Sequence, residues 1–322
     1  MSDLQHLPHG HLLHFLSPTN QASVAAYLTL LQARQYAPRS LEQIISSLKS
    51  FCLLLPERQR QRIAQDFAHT TPEDIDVWLE VASVHGLAPG TRATRLRVLG
   101  GFFAFLTAQG SLPQHPIRRH RHEVTVPQYL PRPMADEDLV AFFRVIDVLR
   151  DRLLFLLMLR CGLRVSEVSA LRWAVIHWDQ GTIRVDNSKG AVDRIVYFSP
   201  DVEVALRQWH QGQPSGGAVV FPSRHRRTQP GAPLRVRQIH SLMARYVAKA
   251  GLQTQYTTHA LRHTFATHLL NAGAPLEVVK ELMGHTSLDM TLRYAQLYEA
   301  TKRQHYDQAM EQVERRRPGH RR

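Results

Sequence analysis

The sequence predicts a mostly α-helical chain with a small antiparallel β-sheet, an α+β fold built as two domains. Three observations predict it. Apolar residues recur at helical spacing from about Gln21 to Gly110, prolines break the pattern between Pro113 and Pro133, and beyond them two alternating segments stand among further helical periods. A length of 322 residues exceeds one comfortable core, which fits two domains that each bury an interior.

The first domain is expected at residues 1–112 as a small bundle of four helices. Val24, Tyr27, Leu28, Leu30 and Leu31 mark one apolar stripe, and Leu41, Ile44, Ile45, Leu48, Phe51 and Cys52 mark a second. Pro72 suits a first helical turn after Thr71 as a cap, with Ile75, Val77, Trp78 and Leu79 following. A fourth helix starts near Pro89-Gly90-Thr91, carries Leu96, Val98, Leu99, Phe102, Phe103, Phe105 and Leu106, and stops at Gly110. Residues 113–133 read as a proline-rich linker containing the basic run Arg118-Arg119-His120-Arg121-His122. That run has two readings of equal weight, a solvated connector or a segment crossing a phosphate backbone.

The second domain, residues 134–314, opens on Met134-Ala135-Asp136-Glu137-Asp138-Leu139, a capped helix start, and continues into an apolar helix from Arg152 to Arg160 that Gly162 ends. The next helix runs from Ser166 through Trp173 and places Arg164 and Ser166 near its positive end, where an anion is favoured. Strict alternation in Thr182–Asp186 and Arg194–Phe198, around the turn Asn187-Ser188-Lys189-Gly190, predicts a β-hairpin with Lys189 near its tip. A Gly- and Pro-rich loop, Gln211 to Pro233, precedes further helices, and the chain ends in a basic tail over 315–322.

With 40 Lys and Arg against 27 Asp and Glu, the formal charge is +13, which points to a polyanionic partner because cations that neutralise phosphates release counterions. Nucleic acid is the leading partner. Cys52 and Cys161 sit among apolar residues and form no Cys-x-x-Cys pair, so buried, reduced thiols of a cytoplasmic protein are expected. The start Met1-Ser2-Asp3-Leu4 lacks a basic region followed by an apolar core, and the run Leu153 to Leu159 is too short for a bilayer. No membrane association is expected.

The residues that carry chemistry form an ordered set: Arg164, His259, Arg262, His285 and Tyr294. Two permanent cations, two imidazoles and a phenol suit a phosphodiester, where charge grows on the non-bridging oxygens and preorganised donors stabilise it. Each member also has a plainer role. Arg164 can pair with Glu167 one turn on, and His285 can be an ordinary loop residue. His259 and Arg262, three apart on a helix, project from one face. His259 and His263 also stand at i and i+4, but no adjacent Glu or cysteine completes a zinc pattern, so a metal site is not expected. His263 and His268 are read as packing or capping residues. Lys189, the only lysine between residues 50 and 248, is a candidate acid for a leaving 5′ oxygen. Composition does not choose between Tyr294 and Tyr298 as the phenol that reacts.

At these residues the chain resembles the tyrosine recombinase, or phage integrase, family. Gly162-Leu-Arg-Val-Ser-Glu167 resembles its first arginine box, and His259-Ala-Leu-Arg262-His-Thr-Phe-Ala-Thr-His-Leu-Leu its second. Leu282-Met-Gly-His285 and Thr291-Leu-Arg-Tyr294 resemble the remaining motifs. One departure is Val192, where the family often carries a second hairpin lysine. The resemblance implies a helical (SAM-like) core DNA-binding domain followed by a catalytic domain of the tyrosine recombinase type. It implies Tyr294 as nucleophile in a 3′-phosphotyrosyl intermediate, Arg164 and Arg262 on the scissile phosphate, His259 and His285 handling protons, and Lys189 as acid. It further implies no need of a cofactor, double-stranded DNA sites as substrate, a tetrameric synapse, and docking of the segment 299–313 on a neighbouring protomer. Integration, excision or resolution would be the service rendered, with room for accessory proteins. A strand-swivelling topoisomerase and a catalytically silent DNA-binding relative are the alternatives; the intact residue set argues against the second.

Overall fold

The computed structural model describes residues 14–127, 131–186, 193–213, 217–223, 229 and 231–284. These residues are mostly helical and carry a small three-stranded antiparallel sheet, the fold class read from the periodicities. The chain divides into two compact units, Met1–Gln128 and Tyr129–Arg322.

In the first unit the helices are α1 (Pro18–Ala33), α2 (Pro38–Leu54), α3 (Glu57–Gln65), α4 (Pro72–Val84) and α5 (Pro89–Ala108), followed by the single turn α6 (Arg119–His122). Proline opens α1, α2, α4 and α5, where its fixed φ suits the helix and its missing N–H leaves no bond unmade. Thr71 precedes α4 as expected, and Asp74 reaches back to accept from its N–H at 2.8 Å and its hydroxyl at 3.1 Å. The expected four-helix bundle missed α3, because in Glu-Arg-Gln-Arg-Gln-Arg-Ile-Ala-Gln only Ile63 is buried. Asn20 ties α3 to α1: its Nδ2 donates to the Ile63 and Ala64 carbonyls at 2.7 and 3.0 Å, and its Oδ1 accepts from Phe67 N–H at 2.9 Å. Around Phe51 the core rings meet edge to face, with Phe103 at 5.7 Å and Trp78 at 6.2 Å between centroids.

Neither reading of the basic run accounts for how α6 meets α4. Arg121 pairs with Glu73 at 2.9 Å and Asp76 at 2.6 Å. The buried His122 accepts from Arg118 N–H at 2.8 Å, and its Nε2 lies 3.1 Å from both the Pro72 carbonyl and Asp76. Arg118, Arg119 and His120 remain exposed.

The second unit contains α7 (Asp136–Arg144), α8 (Leu149–Arg160), α9 (Val165–Ala170), β1 (Ile176–His177), β2 (Thr182–Val185), β3 (Arg194–Tyr197), α10 (Pro200–Gln211), α11 (Val236–Lys249), α12 (Thr258–Asn271) and α13 (Leu276–Met283). α8 is buried on every side from Leu153 to Leu159, and α10 and α12 pack against it. Among the described residues no helix is long and apolar enough to cross a membrane. The expected cap of α7 is not made, since its N-cap is Ala135; Asp136, Glu137 and Asp138 instead face the positive helix end. The hairpin strands pair antiparallel from Thr182↔Tyr197 to Val185↔Arg194, and β1 adds a strand that the sequence reading missed. The turn Asn187–Gly190 lies outside the described residues. Cys52 and Cys161 are buried and unbridged, and burial pushes the Cys52 thiol up to about 12.

Candidate active site

The first arginine box follows α8. Gly162 takes a left-handed φ of +63°, and a Cβ there would stand 2.4 Å from the Phe265 ring, so only glycine fits the junction. The helix that follows is shorter than expected, six residues from Val165, with Arg164 as its N-cap. The N–H of Arg164 is taken by Glu167 Oε2 at 2.7 Å, so a carboxylate of the chain itself fills the place where an external anion was expected. The Arg164 side chain pairs with Glu167 Oε1 at 2.8 Å, the plainer role foreseen for it, and its Nη2 also donates to the Gly284 carbonyl at 2.8 Å.

The second box lies on α12. Arg262 is 4% exposed and donates to the Gly162 and Met283 carbonyls, tying α12 at once to the first box and to the end of α13. His259, one turn before it, is exposed. Desolvation by the surrounding protein, then the charges of Arg262, His240 and Arg164, hold its pKa below the ordinary imidazole value. His263 is half-buried, and desolvation together with His259 and Arg262 lowers its pKa to about 4. The His259 and His263 rings lie 6.3 Å apart, centre to centre. Among the described residues no group of three His, Cys, Asp or Glu side chains could hold a metal ion. His268 points elsewhere and pairs with Asp136 of α7 at 3.1 Å.

α13 ends at Gly284, whose φ of +58° closes the helix. The last carbonyls of a helix have no partner within it and form its negative end. Here three arginines take them in succession: Arg194 on Leu282, Arg262 on Met283 and Arg164 on Gly284. Arg194 also grips Glu167 through both nitrogens of its fork, at 2.9 and 2.7 Å. Burial alone would raise the Glu167 pKa, but Arg194 and then Arg164 override it and hold the carboxyl at about 2. Three segments far apart in sequence thus converge on residues 282–284, and His285 is the next residue in the chain. Of the residues singled out from the sequence, Arg164, His259 and Arg262 come together here; Lys189, His285, Tyr294 and Tyr298 lie outside the described residues.

Residues 134–301 match the model of the Phage integrase family. The chain belongs to that family. It is 31% identical over 319 residues to the tyrosine recombinase XerC of Chlamydia muridarum (strain MoPn / Nigg), covering 89% of this chain and 97% of that protein. Its fold is similar to the integrase of transposon Tn1549, solved with a circular intermediate DNA, at a TM-score of 0.68 and 18% identity over 84% of this chain and 94% of that one. It is also similar to a lambda integrase dimer bound to a core site, at a TM-score of 0.68 and 18% identity over 83% and 95% of the two chains. This member of the phage integrase family is therefore a tyrosine-type recombinase, as the motifs led us to expect. Arg194 was not singled out from its sequence. The signal was present: alternation places Arg194 on the same face of β3 as the buried Val196, an unusual position for a charge.

Proposed function

We propose that this chain is a site-specific DNA recombinase that cuts and rejoins strands through a 3′-phosphotyrosyl intermediate, without metal or ATP, in integration, excision or resolution. The Tyr294 oxygen attacks the scissile phosphorus, the bond to the 5′ oxygen breaks, and Lys189 protonates that oxygen as it leaves. Arg164 and Arg262 hold the phosphate while His259 and His285 donate or relay protons. Because the phosphotyrosyl bond retains the energy of the cut bond, a 5′ hydroxyl from a second duplex reverses the step and joins a new partner.

The observation that carries this reading is the convergence on 282–284. Arginines anchored to backbone carbonyls are preorganised donors, which spend no reorganisation when charge develops on the phosphate. A guanidinium has five N–H donors, and Arg164 keeps its side chain 30% exposed beside Glu167 and Gly284. The lowering of the His259 pKa by desolvation and by Arg262 favours the neutral ring, able to donate from one nitrogen and accept at the other. The DNA complexes of the similar integrases, one of them a dimer, support duplex sites as substrate and protomers paired on them. Four protomers would complete a synapse.

The test is a plasmid bearing two copies of the site, found by selecting random duplexes for tight binding. The wild-type protein in EDTA is expected to exchange the flanking segments, and Tyr294→Phe to exchange none. Relaxation of supercoils without exchange would support a topoisomerase, and loss of activity on chelation would overturn the metal-free mechanism.

A further inference from the structure

Arg194 lies on β3, the strand that leaves the Lys189 hairpin, and its side chain is 3% exposed. Its fork meets Glu167 Oε1 and Oε2, the same two oxygens that hold Arg164 through Nη1 and the backbone N–H. Its remaining side, Nε, donates to the Leu282 carbonyl at 2.8 Å. Gly284 lies flat against it, so that an added Cβ would stand 3.0 Å from Arg194 Cδ and Nη1. A planar guanidinium alone can satisfy a carboxylate bidentately and a carbonyl at a third edge; a lysine ammonium is a single point.

Stability alone does not account for this arrangement, because well-packed apolar residues often replace a buried ion pair at no cost. What Arg194 adds is register. We infer that Arg194 is a positioning residue for strand cleavage: through Glu167 it fixes the Arg164 guanidinium, and through Leu282 it fixes the helix end that leads into His285. It thereby couples the hairpin strand to both phosphate-binding segments. This rests on the recombinase reading above.

The experiment measures single-turnover formation of the covalent adduct on a nicked duplex carrying the selected site, at saturating protein. It compares wild type, Arg194→Gln, Arg194→Lys, Glu167→Gln and the double variant Arg194→Gln/Glu167→Gln, each checked for folding by circular dichroism. Arg194→Gln is expected to slow adduct formation by about 10²-fold, the scale of a misplacement of about 1 Å, while affinity for the same duplex is unchanged. Because the two side chains act as a unit, the double variant should be no slower than the slower single variant. Arg194→Lys should fall between wild type and Arg194→Gln, and it carries the comparison if the glutamine variant does not fold. Losses that multiply in the double variant, a wild-type rate in a folded Arg194 variant, or a slowing that follows lost DNA affinity would overturn the inference. A wild-type protein that forms no adduct would overturn the recombinase reading itself, and the inference with it.

Discussion

Gly162 meets two demands at one position. Its backbone is left-handed, and the Phe265 ring occupies the space of any side chain. Its carbonyl also receives Arg262, so a shift there moves the arginine proposed to hold the phosphate. Gly162→Ala should cost about 1–2 kcal/mol for the backbone and a further ~1–3 kcal/mol for crowding the ring, lowering the melting temperature and the cleavage rate together. A thermal melt unchanged from wild type would contradict this account of the junction. At this scale residue types and their spacing were legible in the sequence. Arg164, His259 and Arg262 were legible because three-residue and box spacings survive folding unchanged. For Arg194 the alternation of β3 marked only a charge on the buried face; its partners depend on β3 lying beside the end of α13, a neighbourhood that no local pattern encodes.

Elements with a full amphipathic stripe were legible, and short or one-sided ones were not. α2 and α5 each bury several large side chains, whereas α3 offers Ile63 alone and β1 is two residues long. α10 is the exception: Pro200 opens it and Val202, Ala205, Leu206 and Trp209 are buried at helical spacing, but it runs directly into a Gly- and Pro-rich stretch that masks its end. What holds α3 is polar, the buried Asn20 that serves two carbonyls and one N–H beyond it. Ser17 N–H also reaches the Ala64 carbonyl, so Asn20→Ala should leave the Ile63 carbonyl and the Phe67 N–H unsatisfied and cost about 1–3 kcal/mol, read as a lower denaturant midpoint with loss of amide protection at Phe67. A midpoint equal to wild type would show that water replaces the amide without loss.

For the molecule as a whole, the fold class followed from periods of 3.6 and 2, and the basic balance of the chain agreed with a family whose members break and rejoin DNA. Composition could not foresee how the segments that carry Arg164 and Arg262 are held. Arginines attracted to a polyanion are here spent in part on the chain's own helix end, three of them on three successive carbonyls. That investment makes sense if the segment just beyond Gly284 must be placed accurately, and Tyr294 lies within it in sequence. The central claim is therefore that Tyr294 forms the covalent bond to DNA. The most direct measurement traps the wild-type adduct on a nicked duplex, digests it with trypsin and sequences the modified peptide by mass spectrometry. The tryptic peptide 294–302 contains both Tyr294 and Tyr298, so fragment ions must separate them. The phosphonucleotide is predicted on Tyr294; finding it on Tyr298, or on any other residue, would contradict the account.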